Sequence, residues 1–429
     1  MTTLLLFGSF ILFLLLSLPI AVSLGLSALV TILVQNPISV EAFTQTMIQG
    51  LNSFPLMAVP LFTFAGDIMG RGGISKRLLN LTSVFFGRFT GGLGIVAIVA
   101  SLFFAAISGT GSATVAAIGT MMIPAMVAKN YDKAFAGALV ATAGTVGTLI
   151  PPSITMIIYA VAAGVSVTGM FSAGIGPGLL VGLALIIFTL FISNRNGYKG
   201  DSVKYTLMDV VKIFLDAIPA LLIPVIILGG IYGGVFTPTE AAAVACVYGI
   251  LVSTFIYKEI KIKELPFIAF NASMLCAAVL IIIGMSSGFG KILTITQVPT
   301  TIANFILDLT SNEIMILLAI NVLLLIVGTF METNAAIIIL VPVLLPVVTA
   351  IGVNPTHFGL IMILNLAIGF ITPPVGANLF MASQVSGIKF DLLARAIMPW
   401  ILVMIVVLLL VTFLPQITLF IPKFLGVPV

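Results

Sequence analysis

Long apolar segments are the feature that most restricts the fold of this 429-residue chain. They recur from Leu4 to Phe420, and one helical crossing of a bilayer takes about 20 apolar residues, so the length allows about a dozen crossings. Strands of a membrane barrel would instead alternate apolar and polar residues over about ten positions. Because 61% of the residues are hydrophobic and only 7% are charged, little chain is left for a soluble domain. The sequence predicts an all-α polytopic membrane protein.

Charge and cysteine usage exclude several other classes of protein. The net charge of +4 would suggest a nucleic-acid partner in a soluble protein, but here Lys and Arg occur in short clusters between apolar segments. We interpret them as topology signals and expect no nucleic-acid partner. Cys246 and Cys276 lie far apart within apolar segments, so we expect two buried thiols rather than a metal site or a disulfide. No Lys or Arg precedes Arg71, so we expect the apolar N-terminus to remain as a span.

An internal repeat organises the chain. The segment Gly-Thr-Leu-Ile-Pro-Pro at residues 147–152 returns as Gly-Phe-Ile-Thr-Pro-Pro at 369–374, and 369 minus 147 gives an offset of 222 residues. Upstream of each copy lies a polar, Gly-containing island, at 108–114 and at 328–334. The spacing predicts two structural repeats, residues 1–212 and 213–429.

Basic residues indicate that the two repeats are inverted. The loop at 71–88 is basic, whereas its counterpart near 293–313 contains no Lys or Arg. Conversely, 36–50 contains no basic residue, whereas the matching stretch 258–264 contains three lysines. If Lys and Arg mark the cytoplasmic side, the halves face opposite ways. Inverted-topology repeats are typical of secondary transporters, which bind their solute near the midplane between the repeats.

Each half is predicted to contain a re-entrant helical hairpin followed by an interrupted helix. Hairpin 1 covers 91–128 and its interrupted helix 134–163, while hairpin 2 covers 313–350 and its interrupted helix 357–385. The remaining elements are a kinked or doubled span at 4–34, a basic amphipathic stretch at 71–88, a polar linker at 194–212, and spans at 52–69, 173–193, 213–233, 238–257, 267–288 and 397–420.

The breaks within these apolar segments are candidate cation sites. In hydrocarbon such a break is tolerated only where it is buried in protein or lines a cavity. Each Pro-Pro pair removes two backbone donors, so carbonyls of the preceding turn become available beside the hydroxyls of the hairpin tip. These are hard oxygen ligands at the negative end of a half-helix, which suits Na⁺. The alternative is a pair of Pro-kinked helices whose free carbonyls are satisfied by neighbouring groups.

Two sets of residues are predicted to form these sites. The first-half set is Ser108, Gly109, Thr110, Gly144, Val146, Gly147 and Pro151. The second-half set is Gly328, Thr329, Gly369, Thr372 and Pro373.

Helix N-termini at the same breaks are candidate contacts for an anionic solute. The polar residues predicted to contact it are Ser112, Thr114, Asn334 and Asn378. Glu332, at the tip of hairpin 2, is a possible coupling residue because intramembrane carboxylates are functional candidates, although it could simply face a hydrated cavity. Glu240 is interpreted as a helix-capping residue in Thr-Pro-Thr-Glu, and His357 is expected at a surface where a span begins.

Enzymatic functions find no support in the sequence. It lacks both the G-x-x-x-x-G-K-[ST] loop that binds nucleotide phosphates and the G-x-S-x-G nucleophile elbow, and one histidine cannot build an H-E-x-x-H zinc site. Uphill transport would therefore use an ion gradient or a separate ATPase subunit. Two Na⁺ accompanying a monoanion move one net charge, worth about 2.3 kcal/mol per 100 mV, so gradient coupling is sufficient.

Several phrases resemble the large membrane subunit of TRAP transporters, the tripartite ATP-independent periplasmic (DctM-like) family. They are Gly-Leu-Asn-Ser-Phe-Pro-Leu-Met-Ala-Val-Pro at 50–60, Gly-Gly-Val-Phe-Thr-Pro-Thr-Glu-Ala at 233–241, and both Pro-Pro breaks. The resemblance covers essentially the whole chain. It implies a multi-pass protein of the bacterial inner membrane that imports organic anions with about two Na⁺ by an elevator motion.

The resemblance also implies the partners: a small TRAP membrane subunit, a periplasmic substrate-binding protein and the membrane lipid. It places cation ligands at Ser108, Thr110, Gly147, Pro151, Gly328, Gly369 and Thr372. Sialic acid and C4-dicarboxylates are both family substrates, and the hairpins favour sialic acid slightly. A proton-coupled anion symporter, a passive channel and an ATPase-dependent permease remain as alternatives.

Overall fold

The computed structural model describes residues 2–200, 203, 205–310 and 312–429, with the backbone alone at 303 and 305–309. All regular structure in this part of the chain is helical. The first half contains α1 (Thr2–Leu15), α2 (Ile20–Gln35), α3 (Val40–Leu51), α4 (Ala58–Arg71), α5 (Ile74–Phe86), α6 (Gly92–Ser108), α7 (Gly111–Ala128), α8 (Lys133–Gly144), α9 (Ile154–Ala163) and α10 (Val167–Asn196). The second half contains α11 (Leu207–Tyr232), α12 (Pro238–Leu251), α13 (Leu265–Ile295), α14 (Val298–Leu309), α15 (Glu313–Phe330), α16 (Thr333–Ala350), α17 (Pro355–Gly369), α18 (Ala377–Ser386), α19 (Phe390–Ala396), α20 (Met398–Phe413) and α21 (Gln416–Leu425).

Seven helices in the described residues are long and apolar enough to cross a membrane. Two bent pairs, α3 with α4 at 59° and α19 with α20 at 47°, raise the number to nine. This is fewer than the dozen crossings expected from length. The reason is that several apolar segments are divided into helices of 10–17 residues, each too short to span the bilayer alone.

The helix pairs predicted as hairpins and both interrupted helices lie close to their predicted bounds, and the re-entrant character of the hairpins stays a prediction. Hairpin 1 consists of α6 and α7, and hairpin 2 of α15 and α16. The interrupted helices are α8 with α9 and α17 with α18, and each break contains a cis Pro-Pro bond. The repeat boundary at 212/213 stays a prediction, and residues 201, 202 and 204 of the 194–212 linker lie outside the described residues.

Three predictions about the spans were wrong in detail. The connection at 36–50 contains α3, which begins at the N-cap Ser39. The span expected at 52–69 starts as a 3₁₀ turn at Phe54–Met57 and becomes α-helical only at Ala58, because Pro55 lies at the bend. The last span, expected over 397–420, ends at Phe413, and α21 follows the break at Leu414 and Pro415.

The two halves are interleaved. The second arm of hairpin 1, α7, packs against α18 of the second half, and the second arm of hairpin 2, α16, packs against α9 of the first half. Together the hairpins and the interrupted helices supply most of the main hydrophobic core. A separate core joins α1, α2 and α3 to α13, with Phe10, Leu24, Phe43 and Phe289 buried in it.

Candidate functional site: two hairpin tips against two helix breaks

The tip of hairpin 1 is a compact polar turn. Gly109 ends α6 with a left-handed φ of 64°, and Thr110 is extended before α7 begins. The Ser108 hydroxyl lies 3.2 Å from that of Thr114, and the Thr114 hydroxyl donates to the Thr110 carbonyl oxygen at 2.9 Å. Ser108 and Thr114 are both buried, so two hydroxyls and a carbonyl are concentrated in a largely dry tip.

The first break closes against this tip. After α8 the chain forms a 3₁₀ turn at Thr145–Thr148, passes Pro151 and restarts at the N-cap Ser153, whose hydroxyl donates to the Thr148 carbonyl oxygen at 2.8 Å. Every residue from 141 to 160 is buried. The amide of Ile154 donates to the Gly109 carbonyl oxygen at 3.4 Å, which ties the hairpin directly to the restarted helix.

Glycines make this contact possible. A Cβ added at Gly147 would lie 2.4 Å from the Thr110 carbonyl oxygen, and one at Gly144 would lie 3.0 Å from the Gly111 carbonyl oxygen. The structure therefore brings the tip and the break together as predicted. Val146 fits the predicted set less well, because its carbonyl oxygen already accepts hydrogen bonds from the amides of residues 149 and 150.

Asn378 joins the first-half set, although the sequence placed it with the solute contacts. It lies in the first turn of α18, and its amide nitrogen donates to the Ala141 carbonyl oxygen at 3.4 Å. Its side chain is within 3.1 Å of the position that a Cβ at Gly111 would occupy, and within 3.4 Å of that at Gly144. The side-chain oxygen Oδ1 of Asn378 is buried and has no hydrogen-bond partner in the described residues. This side-chain oxygen comes from the second half of the chain.

The second break repeats the contact but is more open. A Cβ added at Gly369 would lie 2.2 Å from the Gly328 carbonyl carbon, so the backbones of α17 and hairpin 2 touch. The Thr372 hydroxyl donates to the Ile368 carbonyl oxygen at 2.7 Å, and the Thr329 hydroxyl donates to that of Ile326 at 2.6 Å. Pro373 is half-buried, and the two residues after it are exposed, whereas the first break is buried throughout.

Glu332 has a local structural role at the tip of hairpin 2. It is the N-cap of α16, and its carboxylate accepts hydrogen bonds from the Ala335 amide at 3.0 Å and from the Asn334 side chain at 2.8 Å. The Thr333 hydroxyl and the Asn334 side-chain oxygen are buried without a partner in the described part of the chain. Ser112 occupies the first turn of α7, and no hydrogen bond joins it to Asn334 among the described residues.

The surface position expected for His357 was wrong. Its side chain is 3% exposed, with Nδ1 2.8 Å from the Thr418 hydroxyl and Nε2 3.3 Å from the Thr412 carbonyl oxygen. Helix α21, which the sequence did not separate from the last span, covers it.

The sequence reasoning also missed a buried polar chain that continues from Thr412. The Thr412 hydroxyl accepts a hydrogen bond from the Asn321 side-chain amide at 3.1 Å. The Asn321 side-chain oxygen in turn accepts one from the Asn365 side-chain amide at 2.8 Å. The available signal was a lone Asn within each of two apolar segments.

Two further predictions are confirmed. Thr237 and Glu240 form a capping box at the start of α12. Cys246 and Cys276 are free and buried.

No group of three or more His, Cys, Asp or Glu side chains that could hold a metal ion occurs among the described residues. A cation at the breaks would thus be bound by carbonyl, hydroxyl and amide oxygens.

Residues 7–417 match the family described as tripartite ATP-independent periplasmic transporter, DctM component. The chain belongs to this family. It is a TRAP large permease subunit, a multi-pass inner-membrane protein of an organic-anion transporter, and not an enzyme.

Individual relatives differ in the substrate they are named for. The chain is 48% identical to the isethionate TRAP transporter permease protein DctMQ of Oleidesulfovibrio alaskensis, over 97% of this chain but only 65% of that protein. It is 41% identical to the C4-dicarboxylate TRAP transporter large permease protein DctM of Pseudomonas aeruginosa, over 94% of both chains. It is 38% identical to the sialic acid TRAP transporter large permease protein SiaM of Vibrio cholerae, over 95% of this chain and 96% of that one.

A solved structure supports the fold. The Alcanivorax borkumensis YdaH transporter superposes with a TM-score of 0.64 at 16% identity and covers 94% of this chain and 97% of its own. The all-helical architecture is thereby confirmed.

Proposed function

We propose that this subunit imports a small organic anion together with about two Na⁺. The observation that carries the proposal is the paired geometry: each hairpin tip lies against a helix break through a glycine contact, at Thr110 and Gly147 in one half and at Gly328 and Gly369 in the other. Because the same contact occurs in both halves, a pair of cation sites explains the two breaks better than two unrelated Pro kinks.

The first site offers the more complete set of ligands. Its candidate oxygens are the Ser108 hydroxyl, the Gly144 carbonyl and the unpaired Asn378 side-chain oxygen. The Thr110 carbonyl oxygen fits less well, because it already accepts from the Thr114 amide and hydroxyl. The C-terminal end of α8 adds the negative end of a helix dipole, which favours a cation. The second site would use the hydroxyls of Thr329 and Thr372 and the carbonyls around Gly328, Gly369 and Pro373.

The solute would lie between the sites, against the N-termini of α7 and α16. Ser112 and Asn334 occupy these first turns, where free backbone donors attract an anion. Among candidate substrates, the 48% identity to a permease named for isethionate and the 41% identity to one named for C4-dicarboxylates favour small acids. Sialic acid, which the sequence slightly favoured, stays a prediction.

We further propose an elevator motion and two partners. Because α7 is bound to α18 and α16 to α9, the hairpins and interrupted helices form one interleaved unit that would move against α1–α4 and α11–α13. A periplasmic binding protein would deliver the anion, and a small membrane subunit would support the scaffold.

The experiment is uptake by the reconstituted three-component system with isethionate, succinate and sialic acid, with and without Na⁺. Ser108→Ala and Thr372→Val each remove one hydroxyl ligand worth about 1–3 kcal/mol, so the Na⁺ concentration for half-maximal uptake should rise roughly 5- to 150-fold. Ser101→Ala is the matched control, because that buried hydroxyl bonds only to the Ala97 carbonyl oxygen.

Three results would contradict the proposal. Uptake driven by a proton gradient in Na⁺-free buffer, and lost in Glu332→Gln, would make Glu332 the coupling residue. Flux that never exceeds equilibration would indicate a channel. Dependence on ATP would indicate a permease that works with an ATPase.

A further inference from the structure

A cavity of about 410 Å³ separates the proposed moving unit from the scaffold. Its scaffold wall is formed by α13 with the end of α3 and the 3₁₀ turn before α4, and its opposite wall by α9 and α16. Along α13 the lining residues are Ser286, Ser287, Gly290 and Thr294. The facing wall is aliphatic, and no acidic side chain lines the cavity in the described structure.

Unpaired polar groups indicate that the cavity holds a polar occupant. Ser286 is 3% exposed, and its hydroxyl has no hydrogen-bond partner among the described residues. Across the cavity, Pro342 and Pro346 lack N–H groups, so the carbonyls of Ile338 and Pro342 lose their usual donors four residues later. Unsatisfied groups of this kind cost several kcal/mol in hydrocarbon, which disfavours filling by lipid chains alone.

The cavity opens at the surface of the protein. Its mouth is marked by Thr294 and Ala162, which are exposed, and its floor by the buried Ser286. Along α13, Ser286 and Thr294 are about 12 Å apart, at 1.5 Å per residue. If Lys and Arg mark the cytoplasmic side, the connection near 293–313, which has neither, lies outside. This topology puts the mouth on the periplasmic side, where the anion arrives.

A lysine lies beside this mouth. Ser287, Lys291 and Thr294 are spaced i, i+4 and i+7 on α13, so they share one helix face, and Lys291 is exposed. In the proposed topology only Lys291 and Lys423 among the 17 basic residues lie outside. An isolated positive charge at the mouth of a cavity without acids attracts anions.

We propose that this cavity is an outer capture site for small organic anions. Lys291 attracts the carboxylate or sulfonate, the unpaired Ser286 hydroxyl donates a hydrogen bond to it, and the aliphatic wall contacts its short carbon chain. The inference rests on the proposed function and extends it, because it assigns scaffold residues to the recognition of the solute.

The first experiment measures access without transport. In a protein whose native Cys246 and Cys276 are replaced by alanine, Ser286→Cys should react with the anionic thiol reagent 2-sulfonatoethyl methanethiosulfonate. Isethionate or succinate should slow the reaction, and adding Lys291→Gln should slow it roughly tenfold at low salt and less at high salt. The control is Ser273→Cys, which lies about as far from the opposite end of α13 as Ser286 lies from its own end. Ser273 is exposed on the helix but does not line the cavity, so it should stay unmodified by a reagent that enters through the cavity. If Ser286→Cys reacted with an uncharged, apolar maleimide but not with the anionic reagent, the cavity would be filled by lipid and the proposal would be overturned.

The second experiment fills the cavity in the reconstituted system. A Cβ at Gly290 would meet only Pro342, at 3.9 Å, so Gly290→Leu should fold and occupy the space. We expect KM for the anion to rise roughly tenfold while the Na⁺ concentration for half-maximal uptake stays unchanged. Gly229→Leu on α11, which has no atom within 4 Å of its Cβ position, is the control. Failure of the parent protein to accumulate any anion would refute the proposed function, whereas normal KM in Gly290→Leu and Lys291→Gln would refute the capture site alone.

Discussion

At the scale of single residues, glycine backbones set the distance between each hairpin tip and its helix break. Gly147 and Gly369 allow carbonyl groups of the facing hairpin to approach closer than any side chain would permit. The contacts place the carbonyl groups of Thr110 and Gly328 directly against the breaks. Asn378 adds a side-chain oxygen to the first of these contacts from a distant part of the sequence.

Gly147→Ala tests this contact. The new methyl group would collide with Thr110, so we expect the free energy of unfolding to fall by about 1–3 kcal/mol and Na⁺ affinity to fall with it. Thermal unfolding in detergent, with and without Na⁺, measures both effects. The matched control is Gly229→Ala, a helical glycine in open space, which should be neutral or stabilising by up to about 1 kcal/mol. Equal melting temperatures and equal Na⁺ shifts in the two variants would refute the contact.

At the scale of elements, the basic helix α5 is fixed to the second half by Arg77. Its guanidinium lies 3.7 Å from the centre of the Tyr257 ring, with charge contacts to Asp216 at 3.4 Å and Glu259 at 3.3 Å. The Arg77 side chain is 14% exposed, whereas the two carboxylates are about half exposed. The cluster connects α5 to α11 and to the segment after α12.

Arg77→Gln should lower the free energy of unfolding by about 1–3 kcal/mol, because it removes the stacked cation and leaves two carboxylates unpaired. Arg77→Lys should restore only part of the loss, since an ammonium group cannot stack in the same way. Arg71→Gln is the control, because its pair with Asp67 is exposed and worth at most about 1 kcal/mol, and its guanidinium lies 5.9 Å from the centre of the Phe267 ring, at the outer limit of a cation–π contact. Thermal unfolding of the three variants gives the comparison, and equal losses in Arg77→Gln and Arg71→Gln would contradict a special role for Arg77.

At the scale of the whole molecule, the interleaved packing of α7 with α18 and of α16 with α9 makes neither half an independent unit. If Lys and Arg mark the cytoplasmic side, the charge asymmetry between equivalent loops predicts that the halves are inverted in the membrane. Glu41 on α3 and Lys199 after α10 are both exposed, so they can report the two sides.

In intact cells, Glu41→Cys should react with a membrane-impermeant maleimide, and Lys199→Cys should react only after the membrane is permeabilised. The native cysteines are buried and contribute little background. Labelling of residue 199 but not of residue 41 from outside would contradict the orientation from which the inverted repeat is inferred.

The hairpins and interrupted helices were predictable from sequence because their limits depend on local backbone chemistry. Each Pro-Pro pair removes backbone donors and interrupts its helix, and Gly109 ends α6 in a left-handed conformation, so the tip near 109 and the breaks before Pro151 and Pro373 follow from the residues themselves. The same applies to Glu240, whose capping box involves only neighbours in sequence.

Only the tertiary structure decided which distant groups meet. Asn378 reaches the first-half site because α18 packs on α7, and His357 is buried because α21 folds back over α17. The cavity between α13 and α16 likewise depends on how these helices and α3 pack. Such contacts arise from the packing of whole helix faces across the two halves, and a pattern of apolar and polar residues along one helix does not specify its partner.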